Sequence, residues 1–227
     1  MYYKDWEPIY KEILDDFNFS IKDDEKSADF LNNKLKKNNL YDIGKLENLI
    51  KNRDIVVFGA GSSLEKSIIK HKKFFTDKIK ISADGATTAL MKNKIQPSVI
   101  VTDLDGKVVD QIKANKEGSI IIIHAHGDNL DKIKKYLPKF TGPIVGTTQT
   151  DPKNYNKLYN FGGFTDGDRA VYLAKHFRAG KIYLIGFDFD NTIGKYSFAY
   201  KKDKKLKLKK LKWCKKLLDK IDNIQYL

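Results

Sequence analysis

The stretch DIVVFGAGSSLE, running from Asp54 to Glu65, decides the fold. Ile55 to Phe58 is a continuous apolar run, too short for a helix and rich in β-branched side chains, as in a strand buried on both faces. Gly59-Ala60-Gly61 lets the backbone turn tightly, and Ser62 or Ser63 can cap a helix that starts near Leu64. Strand, glycine-rich loop and helix in that order suit a nucleotide, because a helix N-terminus offers free amides to phosphate. Leu64 stands where a dinucleotide fingerprint would have its third glycine, so a tight turn that binds nothing is the bland alternative.

Downstream the same grammar repeats. Ile79 to Ala83, Val99 to Thr102, Ile120 to His124, Pro143 to Val145 and Ile182 to Ile185 are further Ile- and Val-rich runs, most of them separated by helix-length segments. That alternation predicts an α/β, Rossmann-like, doubly wound and mostly parallel sheet over residues 54–195, with its site at the carboxyl ends of the strands. The connection from Thr147 to Phe164 is long enough to be a lid or substrate loop, and Asp166 to Phe177 reads as a helix. Upstream, residues 1–53 form an N-terminal helical region, with helices at Trp6 to Phe17, Ser27 to Leu35 and Asp42 to Lys51. In residues 196–227, the stretch Asp203 to Ile221 sets Leu206, Leu208, Leu211, Trp213, Leu217, Leu218 and Ile221 among lysines. This predicts a C-terminal basic helix that docks its apolar stripe on the core and turns its lysines to water.

Composition narrows the function classes. The chain has 227 residues, 41% of them hydrophobic, which excludes a disordered chain. Lys+Arg 43 against Asp+Glu 29 gives a net charge of +14, yet only Arg53, Arg169 and Arg178 are arginines. Lysine lacks the planar fork that recognises phosphate bidentately, so a nucleic-acid partner is disfavoured. An RNA- or nucleotide-binding module that uses the basic tail stays as a rival reading. Cys214, the single cysteine, excludes an internal disulfide and fits a reducing compartment. There is no apolar run of about 20 residues to span a bilayer and no signal-like apolar segment, so the expectation is a cytoplasmic protein with no membrane partner. A homo-oligomer is left open.

The chemistry gathers at the strand ends. In Val101-Thr102-Asp103-Leu104-Asp105-Gly106 the two aspartates lie two apart, which aims both carboxylates at one spot if the extended geometry persists. Two such carboxylates suit a divalent cation, and magnesium typically takes one or two carboxylates and completes its shell with water and phosphate oxygens. Asp128, in His124-Ala125-His126-Gly127-Asp128-Asn129, can join them or cap the next helix. His126 reads as a phosphate or base contact and His124 as a hydrogen-bonded core residue. Asp84 is placed where an NAD-dependent oxidoreductase would hold a ribose, a second rival that gives no account of the other aspartates. Arg169 is a sensible phosphate ligand, although it can equally pair with Asp166 or Asp168. Phe187 and Phe189 read as core residues or as stacking platforms.

The order GAGSSLE, ISADGAT, Pro97, VTDLDG, HAHGDN, GFTDGDRA and GFDFDN, over Asp54 to Asn191, resembles the archaeal type of 6-hydroxymethyl-7,8-dihydropterin diphosphokinase. Its ADGA, Pro and D-x-D core also resembles the nucleotide-binding half of thiamine diphosphokinase, but the Lys-rich helical tail differs from the β-sandwich of the thiamine enzymes. The resemblance implies Mg2+-dependent transfer of a diphosphoryl group from ATP to a dihydropterin, in the folate-like methanopterin pathway. By this resemblance Asp103, Asp105 and Asp128 match the acidic metal positions. Gly59, Gly61, Ser62 and Ser63 match the loop around the ATP phosphates, and Asp84 and Gly85 fall in the ADG element beside the nucleotide. Thr165, Asp166, Asp168 and Arg169 are further candidates for substrate contact.

Overall fold

Alternation along the buried strands feeds two cores at once. The computed structural model describes residues 1–190, 192–197 and 204–227; Asn191 of the GFDFDN motif and Lys201, Lys202 and Asp203 of the basic tail lie outside the described residues. Among the described residues, one sheet contains β1 (Ile55–Phe58), β2 (Ile79–Ala83), β3 (Val99–Thr102), β4 (Ile120–Ala125), β5 (Ile144–Thr148), β6 (Leu158–Tyr159), β7 (Ile182–Ile185) and β8 (Ile224–Tyr226), in the order β6-β5-β4-β3-β2-β1-β7-β8. Every pairing between them is parallel.

Ile55, Val57, Val99, Val101, Ile120 and Ile122 face α1 (Tyr3–Phe17), α3 (Ile43–Ile50), α8 (Asp166–His176) and α9 (Lys204–Leu218). Their strand neighbours Val56, Phe58, Ile100, Ile121 and Ile123 face the other way. There they meet α2 (Ile21–Lys34), α4 (Leu64–Phe75), α5 (Ala86–Lys92), α6 (Val108–Lys116) and α7 (Leu130–Tyr136). A period of two on a sheet covered on both faces is why these runs are apolar throughout.

The chain builds β1 to β6 outward in one direction, and α8 then carries it back across β1, β2 and β3 to place β7 on the other side of β1. The strand order therefore reverses between β1 and β7. Loops leaving the two strands must diverge there, which opens the crevice in which open α/β sheets bind ligands.

Three expectations change. The Thr147 to Phe164 connection is not a lid: its first residues complete β5, it contributes β6, and Asn160 donates its amide to the carbonyls of Gln149 and Thr150 at 3.0 and 3.1 Å. The tail is more than a helix, since β8 adds an edge strand beside β7. In α9 only Trp213, Cys214, Leu217 and Leu218 are buried, while Leu206, Leu208 and Leu211, together with Lys207 and Lys210, border a cavity. Among the described residues no helix is long and apolar enough to cross a membrane.

Candidate active site

A cavity of about 400 Å3 lies along the carboxyl ends of β4, β3, β2, β1 and β7, large enough for small organic substrates. One end is the crevice between the β1 and β7 loops. Here the glycines serve backbone approach first. A Cβ on Gly61 would come within 2.5 Å of the Gly186 carbonyl oxygen, and one on Gly186, whose φ is +73°, within 2.5 Å of the Gly59 oxygen. The Gly61 amide donates to the Gly186 carbonyl at 2.8 Å. Gly59 and Gly61 line the cavity, but Ser62 and Ser63 are not among its lining residues. The Ser63 amide donates to Asp188 at 2.7 Å, and the Ser62 hydroxyl meets Asp188 at 3.2 Å and Thr192 at 2.9 Å. The carboxylate of Asp188 thus takes the amide that the sequence offers to a phosphate.

The middle of the cavity is acidic. Asp84, Asp103 and Asp166 present carboxylate oxygens that all lie within 4.8 Å of one another, the one such group of three among the described residues. Asp84 sits just past β2 with φ +39°. One of its oxygens accepts from Thr102 Oγ1 (2.8 Å), Gln111 Nε2 (2.8 Å) and the Gly106 amide (3.1 Å). Asp103 accepts from or shares a proton with His126 Nε2 at 3.2 Å, while its Oδ1 is buried without a partner. Asp166 takes Arg169 Nη1 at 3.2 Å.

The three carboxylates divide electrostatically. Burial pushes Asp166 well above the usual carboxylate range, the charges of Asp103 and Asp84 push it further, and Arg169 only partly opposes them. Burial and the Asp103 charge likewise raise Asp84. At Asp103 burial acts upward too, but the His126 hydrogen bond and the charges of His126, Arg169 and Lys132 outweigh it and hold the group low. Closely packed like charges cannot all ionise without a compensating cation.

This trio differs from the one read in the sequence, and the reason is local. β3 ends at Thr102 and Leu104 has φ +66°, so the extended geometry stops there; Asp105 is not in the trio, although it lines the same cavity. Asp105 pairs with Lys132 at 2.6 Å. Asp128 is exposed at the cavity wall. The third carboxylate, Asp166, arrives instead from the first turn of α8. Asp168 is also redirected: fully buried, it closes the N-terminus of α8 by accepting the Phe164 amide, the Thr165 amide at 3.1 Å and the Thr165 hydroxyl at 2.7 Å. Thr165 and Asp168 thus form a capping box, a spacing that the sequence already displays. Arg169 reaches Asp166 and Gln149, and Gly85 lines the cavity as the cap of α5. His124 is buried, bonds Thr147 at 3.0 Å, and is held neutral chiefly by burial, as a core histidine should be.

The far end of the cavity belongs to the N-terminal helices. Phe19, Asp23 and Asp24, at the turn from α1 into α2, line it with Gln149 and Phe164. Asp24 and Gln149 carry no local spacing that marks them, since elements distant in the chain bring them to the site, whereas Asp188 lies in the GFDFDN motif.

Comparison with known proteins gives the family. A family model described as 6-hydroxymethylpterin diphosphokinase MptE-like matches residues 29–194. A 6-hydroxymethyl-7,8-dihydropterin pyrophosphokinase of Pyrococcus furiosus is 42% identical over 98% of this chain and 95% of its own length. Proteins of the same name from Methanocaldococcus jannaschii and Methanothermobacter thermautotrophicus are 43% and 44% identical, over 95% and 85% of this chain and 94% and 81% of theirs. With a matching model over most of the chain and relatives aligned almost end to end, this protein belongs to the 6-hydroxymethylpterin diphosphokinase MptE-like family of enzymes.

Proposed function

We propose that this protein transfers the terminal diphosphoryl group of ATP, with Mg2+, to the hydroxymethyl oxygen of 6-hydroxymethyl-7,8-dihydropterin and releases AMP, within the folate-like methanopterin pathway. The observation that carries this reading is the placement of Asp84, Asp103 and Asp166 midway along one cavity. A two-substrate reaction needs such a layout, with donor and acceptor entering from opposite ends and charge handled between them. In this division residues 54–195 hold the nucleotide and the cation, residues 1–53 close the acceptor end, and residues 196–227 wall the cavity.

The donor set fits a hard divalent cation. All three ligands are carboxylate oxygens, and the unpartnered buried Oδ1 of Asp103 has an unused acceptor site. Mg2+ bound there supplies neutralisation of the phosphate charge that shifts as the bond to the leaving group breaks. The protein's own contribution is positioning. Thr102, Gln111 and the Gly106 amide fix Asp84, His126 fixes Asp103, and Arg169 fixes Asp166 while Gln149 fixes Arg169. Of these partners His126, Arg169 and Gln149 themselves line the cavity. The glycine-lined crevice at the reversal of strand order receives the nucleotide.

Chelation tests the reading. Turnover of ATP with the dihydropterin should stop in excess EDTA and return on adding Mg2+, with helical circular dichroism unchanged throughout. Undiminished turnover in EDTA would contradict it.

A further inference from the structure

The acceptor end of the cavity holds a carboxylate that the transfer chemistry leaves unused. Asp24 is 4% exposed, and among the described residues no lysine or arginine forms an ion pair with it. Burying a carboxylate without a cation is costly unless hydrogen bonds replace the lost water. Here they do: Tyr10 donates its hydroxyl to Oδ2 at 2.5 Å and the Gly127 amide donates to Oδ1 at 2.6 Å, with the Gln149 amide farther off at 3.4 Å from Oδ2. Its place in the first turn of α2 adds the favourable end of the helix dipole.

An ionised carboxylate accepts at about four lone-pair sites. The two short bonds take one site on each oxygen; the second site on Oδ1 is open, that on Oδ2 meets only the long Gln149 contact at 3.4 Å, which an incoming donor displaces, and Asp24 borders the cavity. What fits is a flat group with two parallel N–H donors, bound bidentately. A pterin carries that group: its pyrimidine edge presents N3–H and one hydrogen of the 2-amino group side by side. Phe19 and Phe164 border the same end and offer apolar faces to such a ring.

We infer that Asp24 selects the acceptor by accepting the N3–H and 2-amino hydrogens of its ring, which directs the hydroxymethyl group at the opposite end toward Asp84, Asp103 and Asp166. This rests on the proposal that the acceptor is a pterin. Gln149, beside Asp24, is tied to the reacting end through Arg169, whose Nη2 donates to Gln149 Oε1 at 3.0 Å and whose Nη1 donates to Asp166 at 3.2 Å. Asp24 is a specificity residue in this assignment and takes no part in the transfer itself.

The test compares wild type, Asp24→Asn and Tyr10→Phe, using the dihydropterin and its analogue with oxygen in place of the 2-amino group. The wild type should use the 2-oxo analogue about 1,000-fold less efficiently or worse, because the analogue sets an oxygen against a carboxylate. Asp24→Asn should raise KM for the dihydropterin by about 10- to 100-fold, with KM for ATP and kcat little changed. It should also narrow the discrimination to roughly 10-fold, since the asparagine amide donates to the 2-oxo group. Tyr10→Phe keeps the carboxylate and should keep the discrimination. A folded Asp24→Asn variant with normal KM and normal discrimination overturns the assignment, as does a Tyr10→Phe variant that loses discrimination equally. Should Asp24→Asn not fold, equal use of both acceptors by the wild type overturns it. Absence of any pterin turnover in the wild type overturns the proposed function as well, whereas the other failures leave that function standing.

Discussion

Asp103→Asn is expected to lower turnover by about 1,000-fold while leaving the protein as stable as before, or slightly more so. The size follows from what the carboxylate does: several kcal/mol of charge stabilisation at the transferred group corresponds to about three powers of ten in rate. The stability follows from the neighbours. Asp84 and Asp166 are both raised by burial and by the charge of Asp103, so neutralising that residue relieves repulsion in the folded state. The asparagine oxygen can still meet His126, which keeps the loop in place. Paired measurements of kcat and of the denaturation midpoint check both halves. A variant that retains more than a tenth of the activity would remove Asp103 from the reaction, and one that loses both activity and fold would make it structural.

Gly186→Ala should be among the most damaging small substitutions in the described residues. The residue is in the left-handed region at φ +73°, and an added Cβ would lie 2.5 Å from the Gly59 oxygen and 3.0 Å from Leu64 Cβ. The conformation alone costs about 1–2 kcal/mol, and forcing backbone apart in a packed site about 1–3 kcal/mol more. A total of about 2–5 kcal/mol is a large share of a typical domain's stability. Gly118 provides the control, since its φ is +104° but nothing lies within 4 Å of its added Cβ. Gly118→Ala should therefore cost only the conformational part, read from urea denaturation of the two variants. Equal costs would mean that the β1 and β7 loops do not depend on close approach at the crevice.

Much of the scaffold is legible in the primary structure because buried parallel strands leave a strong mark. Ile55 to Phe58 and Ile182 to Ile185 coincide with β1 and β7 residue for residue. The strands that escape are those with little to bury: β6 has two residues, and β8 has an intermediate and two exposed positions. The site is less legible. Asp84 and Asp103 follow apolar runs, so their place at the strand ends is predictable. Their partner Asp166 is brought by a helix that crosses the sheet, which no local spacing encodes. Leu104 gives no warning of its positive φ, since leucine has no preference for that region, yet the extended geometry that would align Asp105 with Asp103 ends at that residue. The glycines of GAGSS are read from sequence as a phosphate cradle, whereas their immediate neighbours are Gly186 and Asp188. Asp24 is invisible for a further reason: it becomes part of the cavity only when α2 packs beside β4 and β5.

Diphosphoryl transfer requires that the acceptor oxygen attack the β-phosphorus. A site that moved only the γ-phosphoryl group would leave ADP, whereas diphosphoryl transfer must leave AMP. The direct measurement is a single incubation of the protein with Mg2+, 6-hydroxymethyl-7,8-dihydropterin and ATP labelled at the β-phosphorus, with the products separated and counted. The label is expected to move wholly to the pterin, as its diphosphate, with unlabelled AMP formed in equal amount. Labelled ADP alongside a pterin monophosphate would contradict it.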